Sequence, residues 1–260
     1  MSNTFQECFL AFIDVLGIKN LLRNFDENLD LVKNLIDILK INRKFETGTK
    51  LTSRGKIEIR SWYFSDSFVF MMKKEENEEN LPQLLFIIRF LQDMFWKNGF
   101  LLRGSIILDE MYFPKENENV LLGKGIINAY ELESKIAIYP RIILDDNLYK
   151  FIEEKDLQAY PFGKKGVKLK ELIKEDKDSI KFLDLLNPNI LRAKNEKIRT
   201  QNKSFSIFGN YNDENNFEMI KETVNKMIKN VLDDCQSDTK IRQKYKWLKS
   251  YLEEVEKESG

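Results

Sequence analysis

The chain has 260 residues with 42 Lys+Arg, 42 Asp+Glu and no histidine, which makes it one large domain or a domain with a substantial extension. Its 42% hydrophobic and 12% aromatic residues can bury a real core, which excludes wholesale disorder, and its zero net charge argues against a general nucleic-acid binder. Without imidazole there is no Ser-His-Asp or Cys-His catalysis and no histidine-ligated zinc, so any chemistry runs on carboxylates, amines, hydroxyls, two thiols or a bound metal.

In chain order, Met1 to Glu7 lacks the basic region and long apolar run of a signal peptide. Cys8 to Ile13 is a short apolar run that ends at Asp14 and is followed by Gly17, the pattern of a buried strand. From Leu21, the apolar residues Leu22, Phe25, Leu29, Val32, Leu35, Ile36 and Leu39 recur at helical spacing and predict one amphipathic helix. Gly48 to Gly55 reads as a polar turn region. Ile57 to Phe64 and Phe68 to Met72 flank Ser65-Asp66-Ser67 and predict a hairpin with an aspartate at its turn. Lys73 to Asn80 reads as a surface loop. Pro82 opens a second helix, carried by Leu85, Ile88, Leu91, Met94 and Phe95 and stopped near Gly99.

Phe100 to Asp109 predicts a strand interrupted at Arg103-Gly104, Met111 to Asn119 a loop, and Val120 to Leu122 a short strand. Gly123-Lys124-Gly125 lacks the spacing of the named phosphate loops and reads as a tight turn into a third helix through Ala129 and Leu132. Tyr139 to Leu144 is a further strand. The order strand, helix, hairpin, helix, strand, helix, strand predicts an α/β (α+β) fold with helices packed on a mainly antiparallel sheet.

Residues 1–150 carry that pattern as one domain, and residues 151–260 read as a charged, mostly helical C-terminal extension. Within it Lys164 to Lys203 holds twelve Lys/Arg against six Asp/Glu, whereas Asp213 to Gly260 holds eleven acidic and nine basic residues. Helical spacing of Phe217, Ile220, Val224, Met227 and Ile228, and of Ile241, Tyr245, Leu248 and Leu252, predicts helices that pack on the sheet or on a partner. Cys8 and Cys235 are far apart and not at metal-ligand spacing, and apolar runs such as Leu84 to Ile88 fall well short of the ~20 residues that span a bilayer. A reduced, soluble, cytoplasmic chain with no membrane and no nucleic-acid partner is expected.

Two aspartates sit where an apolar strand has just run out: Asp14 after the first, Asp66 between the hairpin strands. Each alone reads equally as a helix cap or an Asx turn. Together, if their strands are neighbours, the two carboxylates emerge at one end of a sheet, where they repel unless a cation lies between them. Mg²⁺ takes oxygen ligands from one or two carboxylates plus substrate phosphates, and a pair of such ions activates a hydroxyl without any histidine. The turn Val15-Leu16-Gly17-Ile18-Lys19 then opens a helix whose first amides would cradle phosphate, with Lys19 within reach or merely solvated.

Four blocks in order carry a resemblance: Phe12-Ile13-Asp14-Val15-Leu16-Gly17, Phe64-Ser65-Asp66-Ser67, Leu102-Arg103-Gly104-Ser105-Ile106, and Gly125 through Ala129-Tyr130-Glu131-Leu132-Glu133 to Tyr139-Pro140-Arg141-Ile142. They resemble the class III nucleotidyl cyclases, and more narrowly the pyrimidine cyclases of bacterial Pycsar antiphage systems. The tail is similar through Phe182-Leu183-Asp184-Leu185-Leu186 and Lys244-Tyr245-Lys246-Trp247-Leu248. The resemblance implies a ferredoxin-like palm, a homodimer with composite active sites, and two Mg²⁺ or Mn²⁺ ions held by Asp14, Asp66 and the Val15 backbone. It implies conversion of UTP or CTP to the 3′,5′-cyclic monophosphate and pyrophosphate, a product that would activate a separate effector during phage infection.

The chain departs from the purine branch of that family. Where those enzymes carry an Asn and an Arg on the third helix, this chain has Ile127 and Glu131, which leaves their roles to Asn128, Arg103 or Arg141, or to a different solution. The base-reading lysine is also absent, and Trp62 and Tyr63 stand there instead; bulky rings would shrink the base pocket toward a pyrimidine, or simply pack in the core. A purine cyclase, a palm-type oligonucleotide synthase and a non-catalytic nucleotide-binding palm remain alternative readings.

Overall fold

A computed structural model describes residues 5–42, 48–52, 55–74, 80–115, 118–160, 165–187, 213–234 and 238–259. The expected loop at Lys73 to Asn80 lies mostly outside the described residues, as do residues 188–203 of the basic stretch and Cys235.

The first apolar run forms β1 (Phe5–Leu16), the centre of the sheet. Then follow α1 (Ile18–Arg23), α2 (Leu29–Asn42), β2 (Gly48–Thr52), β3 (Gly55–Phe64), β4 (Ser67–Lys73), α3 (Asn80–Lys97), β5 (Leu101–Tyr112), α4 (Lys124–Lys135), β6 (Ile142–Leu144) and α5 (Asp146–Lys155). Beyond these come β7 (Ile173–Glu175), β8 (Lys181–Leu183), α6 (Asp213–Asp233) and α7 (Thr239–Ser259). The described strands form one eight-stranded sheet in the order β2-β3-β4-β1-β5-β6-β8-β7, antiparallel except for the parallel pair β5 and β6. This is the α+β fold with a mainly antiparallel sheet that the element order predicts, and it is palm-like, as the resemblance implies.

Alternation along β1 divides the core between two faces. Phe9, Ala11 and Ile13 join the cluster under α2, α3 and α5, whereas Cys8 and Leu10 join Trp62, Ile107 and Ala129 beneath α4. A third cluster docks α6 and α7 through Val224, Leu248 and Val255 against Leu101, Ile143 and Phe182. Leu101 lies an even step from Ile107 along β5, so α4 and the α6–α7 hairpin cover the same face.

Several sequence expectations are corrected. The polar stretch Gly48–Thr52 is a strand rather than a turn, because at the sheet edge it pairs only with β3 and needs no apolar alternation. The helix expected to start near Leu21 is split: α1 has six residues, and a 3-10 turn spans Asp26–Asn28, with the Asn28 amide donating to the Asn24 carbonyl at 2.8 Å. Gly104 does not interrupt β5. A Cβ there would lie 2.5 Å from the Phe12 carbonyl oxygen, so the glycine permits close pairing with β1. Val120 to Leu122 forms no strand, only a Tyr112 N–H bond to the Leu122 carbonyl at 2.9 Å and a Met111–Gly123 bridge. The strand expected from Tyr139 begins only at Ile142.

Candidate active site

Asp14 lies near the end of β1, opposite Ser67 on β4 and Arg103 on β5, so all three side chains leave the sheet on one face. The Ser67 hydroxyl donates to Asp14 Oδ1 at 3.1 Å. The Arg103 guanidinium lies 3.4 Å from Asp14 Oδ2 and, on its other side, 2.6 Å from Glu133 Oε1 of α4. The tight β3–β4 turn, with Ser65 at a φ of 55°, folds over the end of β1, where the Val15 N–H donates to the Asp66 carbonyl at 3.0 Å.

Electrostatics tie these groups together. Burial raises the Asp14 pKa, Arg103 pulls it back, and the neighbouring Asp66 carboxylate pushes it up again. Glu133, 3% exposed at its side chain, is pushed up to about 7 by burial against the opposing pull of Arg103, with Asp14 adding to the rise. Lys244 of α7 belongs to the same field: burial lowers its pKa, as does Arg103, while Asp14 and Glu133 raise it.

The donor set suits a hard divalent cation. Asp14 and Asp66 act on each other electrostatically, and the Asp14 oxygens have only long contacts to Arg103 and one serine bond. The oxygens that would hold the ion are those two carboxylates and the Val15 carbonyl. Among the described residues no cluster of three or more acidic or cysteine side chains is placed to hold a metal, so such a site depends on these two and on ligand oxygens.

The other expected residues divide. Val15 and Ile18 are buried and Leu16 packs against the cluster around α7, so all three can serve a ligand only through the backbone. Gly17 takes a φ of 87° to turn the chain into α1, and Lys19 is exposed beside it. Six residues make α1 a weak phosphate cradle compared with the long helix expected. Trp62 faces the Asp14 side of the sheet, with its indole N–H unpartnered among the described residues. Tyr63, the next residue, packs on the opposite face against Phe68 and Phe70, so only one of the two rings shares the site's face.

Asn128 is turned elsewhere: its amide donates to Asp109 at 2.6 Å, six residues along β5 from Arg103 or roughly 20 Å away. Arg141 is also diverted. Its buried guanidinium is bound by Asp176 and Asp178 and stacked among Tyr139, Phe182 and Trp247. Trp247 donates to the same Asp176 at 2.6 Å, so Arg141 anchors α7 to the sheet edge. Ile127 and Glu131 point to solvent on the outer side of α4.

Sequence reasoning missed Glu133 and Lys244 as site residues. Glu133 stands within the fourth block of the resemblance, but its burial beneath Arg103 depends on the crossing of α4 over β5. Lys244 stood in a tail motif more than two hundred residues from Asp14.

No protein-family model and no curated protein matches the chain. Among solved structures it is similar to one described as a bacterial light-regulated adenylyl cyclase, with a TM-score of 0.36 and 15% identity over 84% of this chain and 56% of that one. The chain thus spans little more than half the length of that structure.

Proposed function

We propose that this chain is a nucleotidyl cyclase that converts a pyrimidine nucleoside triphosphate, UTP or CTP, to its 3′,5′-cyclic monophosphate and pyrophosphate, making a second messenger for an antiphage effector. The observation that carries the reading is the meeting of Asp14 and Asp66 at one end of the sheet, with Arg103 beside Asp14 on the same face. The pyrimidine class and the defence role rest on the sequence resemblance.

In that reaction the 3′-oxygen bonds to the α-phosphorus, the bond from that phosphorus to the bridging oxygen of the β-phosphate breaks, the hydroxyl proton is released, and pyrophosphate leaves. A pair of Mg²⁺ or Mn²⁺ ions, when bound, would acidify the 3′-hydroxyl and neutralise the polyphosphate. The chain's own part is placement. Asp14, Asp66 and the Val15 carbonyl would hold the ions, the first amides of α1 would donate to phosphate oxygens, and Arg103 would meet charge developing on the α-phosphate. Trp62 would bound the base pocket.

A homodimer is part of the proposal. Ile127, Tyr130 and Ile138 on and beside α4 are 60%, 55% and 52% exposed, and Phe64 at the β3–β4 turn is 50% exposed. A second copy over these residues would cover apolar surface and complete the pocket.

The test offers the purified chain each of the four nucleoside triphosphates with Mn²⁺ and separates products by chromatography. A cyclic pyrimidine monophosphate, lost in a folded Asp66→Ala variant, is expected. Unchanged turnover in that variant would overturn the assignment, and linear or purine products would select the alternatives.

A further inference from the structure

The row formed by Asp14 and Arg103 lies in a seam between two helical elements. Leu132 of α4 touches both the cluster beneath α4 and the cluster around α7. Leu16, two residues beyond Asp14 and therefore on the same face of β1, packs against the cluster to which α7 contributes Leu248, Leu252 and Val255. Glu133 of α4 borders the seam on one side. The start of α7 borders it on the other.

The inward stripe of α7 runs through Leu248, Tyr251, Leu252 and Val255, none more than 4% exposed. Lys244 stands one turn earlier on that stripe, four residues before Leu248, where spacing calls for an apolar side chain. It is half-buried there, and Asp14, Glu133 and Arg103 lie near enough for their charges to act on it. Arg103, the other cation of the seam, is already committed to Asp14 and Glu133. Among the described residues the Lys244 ammonium closes no direct ion pair. A half-buried ammonium without a paired anion is costly, and an incoming polyphosphate would offset that cost.

We propose that Lys244, brought in from the C-terminal hairpin, is a substrate-binding residue whose ammonium takes a non-bridging phosphate oxygen of a nucleoside triphosphate held at Asp14 and Asp66. This rests on the cyclase reading only for the nature of the ligand and its place. The hairpin then has a role beyond packing. Arg141, Asp176 and Trp247 hold α7 against the sheet edge, and the helix in turn holds Lys244 at the seam. A lysine suits the task because a point charge on a flexible stem can follow phosphates as they separate.

The test measures binding of the α,β-methylene analogues of UTP and CTP to the full chain with Mn²⁺ by calorimetry, alongside Mn²⁺ binding without nucleotide. Lys244→Met is expected to weaken analogue binding roughly 10- to 100-fold, with Lys244→Arg restoring most of it and the exposed Lys246→Met leaving it unchanged. Mn²⁺ affinity in Lys244→Met should be unchanged or higher, because a cation beside Asp14 has been removed. Wild-type analogue affinity in Lys244→Met, or a parallel loss of Mn²⁺ affinity that marks a merely structural prop, would overturn the proposal. So would a wild-type chain that binds neither analogue. Analogue binding by a wild-type chain that turns over none of the four nucleoside triphosphates would overturn the cyclase reading alone and leave the Lys244 assignment standing.

Discussion

Arg103 stands directly opposite Asp14 in the antiparallel pairing of β5 with β1, and its guanidinium lies 3.4 Å from that carboxylate. The tighter contact is to Glu133, at 2.6 Å. Both hydrogen bonds of the guanidinium go to Asp14 Oδ2, and the closer Glu133 contact is an ion pair without hydrogen-bond geometry, so the arginine is shared between the two carboxylates. Glu133 positions the arginine, and Asp14 faces the open end of the site.

Removing that cation leaves two partly buried carboxylates unpaired. Arg103→Met is expected to cost about 2 kcal/mol of stability, less than the ~3–5 kcal/mol of a fully buried broken pair, because Arg103 retains 22% exposure. Denaturant melts would measure the loss. In the nucleotide assay the same variant should lose turnover by more than its stability loss explains.

The Glu133 carboxyl has a clear pH signature. Its pKa rises from 4.5 to about 7 in the fold, so between those values the folded chain holds a proton that the unfolded chain has released. Stability from this group is fully present below about 4.5 and is lost as pH rises through about 7. Asp145, which caps α5 through the Leu148 N–H and is raised to about 6 by burial, adds a similar fall that ends lower. Thermal melts of the metal-free wild type and Glu133→Gln should therefore differ in slope most clearly between about pH 5 and 6.5, with the variant flatter. Identical slopes there would refute the assignment.

Cation binding at Asp14 and Asp66 should appear as stabilisation. At a hundredfold excess over Kd, Mn²⁺ would add about 2.7 kcal/mol and raise the melting temperature by several degrees. Asp14→Asn and Asp66→Asn should each abolish most of that rise. Equal shifts in the variants and the wild type would place the ion elsewhere.

Arg141 has a structural effect. Arg141→Met leaves Asp176 and Asp178 without their buried cation and takes away the guanidinium that packs against Trp247. A loss of roughly 3–5 kcal/mol is expected, together with a red shift in tryptophan emission as α7 loosens. Unchanged melting with unchanged emission would show that α7 is held without it.

The tail motifs illustrate why such roles escaped linear reading. Tyr139 and Arg141, Phe182, and Trp247 belong to separate blocks of the resemblance, yet they form one aromatic cluster that Tyr251 joins, with the Tyr139 and Trp247 rings 5.5 Å apart and Tyr251 donating to Asp184 at 2.6 Å. Their spacing along the chain says nothing of this meeting.

By itself the sequence determined β1, the hairpin of β3 and β4 with its turn at Asp66, the helices α3 and α4, and the position of Asp14 at the end of an apolar strand, because periodicity and turn chemistry act between residues a few positions apart. It also excluded imidazole chemistry outright. Only the tertiary structure decided that β1 lies between β4 and β5, which sets Ser67 and Arg103 beside Asp14. It likewise placed Glu133 and Lys244 on either side of that row and turned Arg141 and Asn128 away from it. Those choices depend on strand order and on which helical faces share one side of the sheet. Both come from the burial of apolar surface between distant segments, a sum over the whole chain that no local pattern contains.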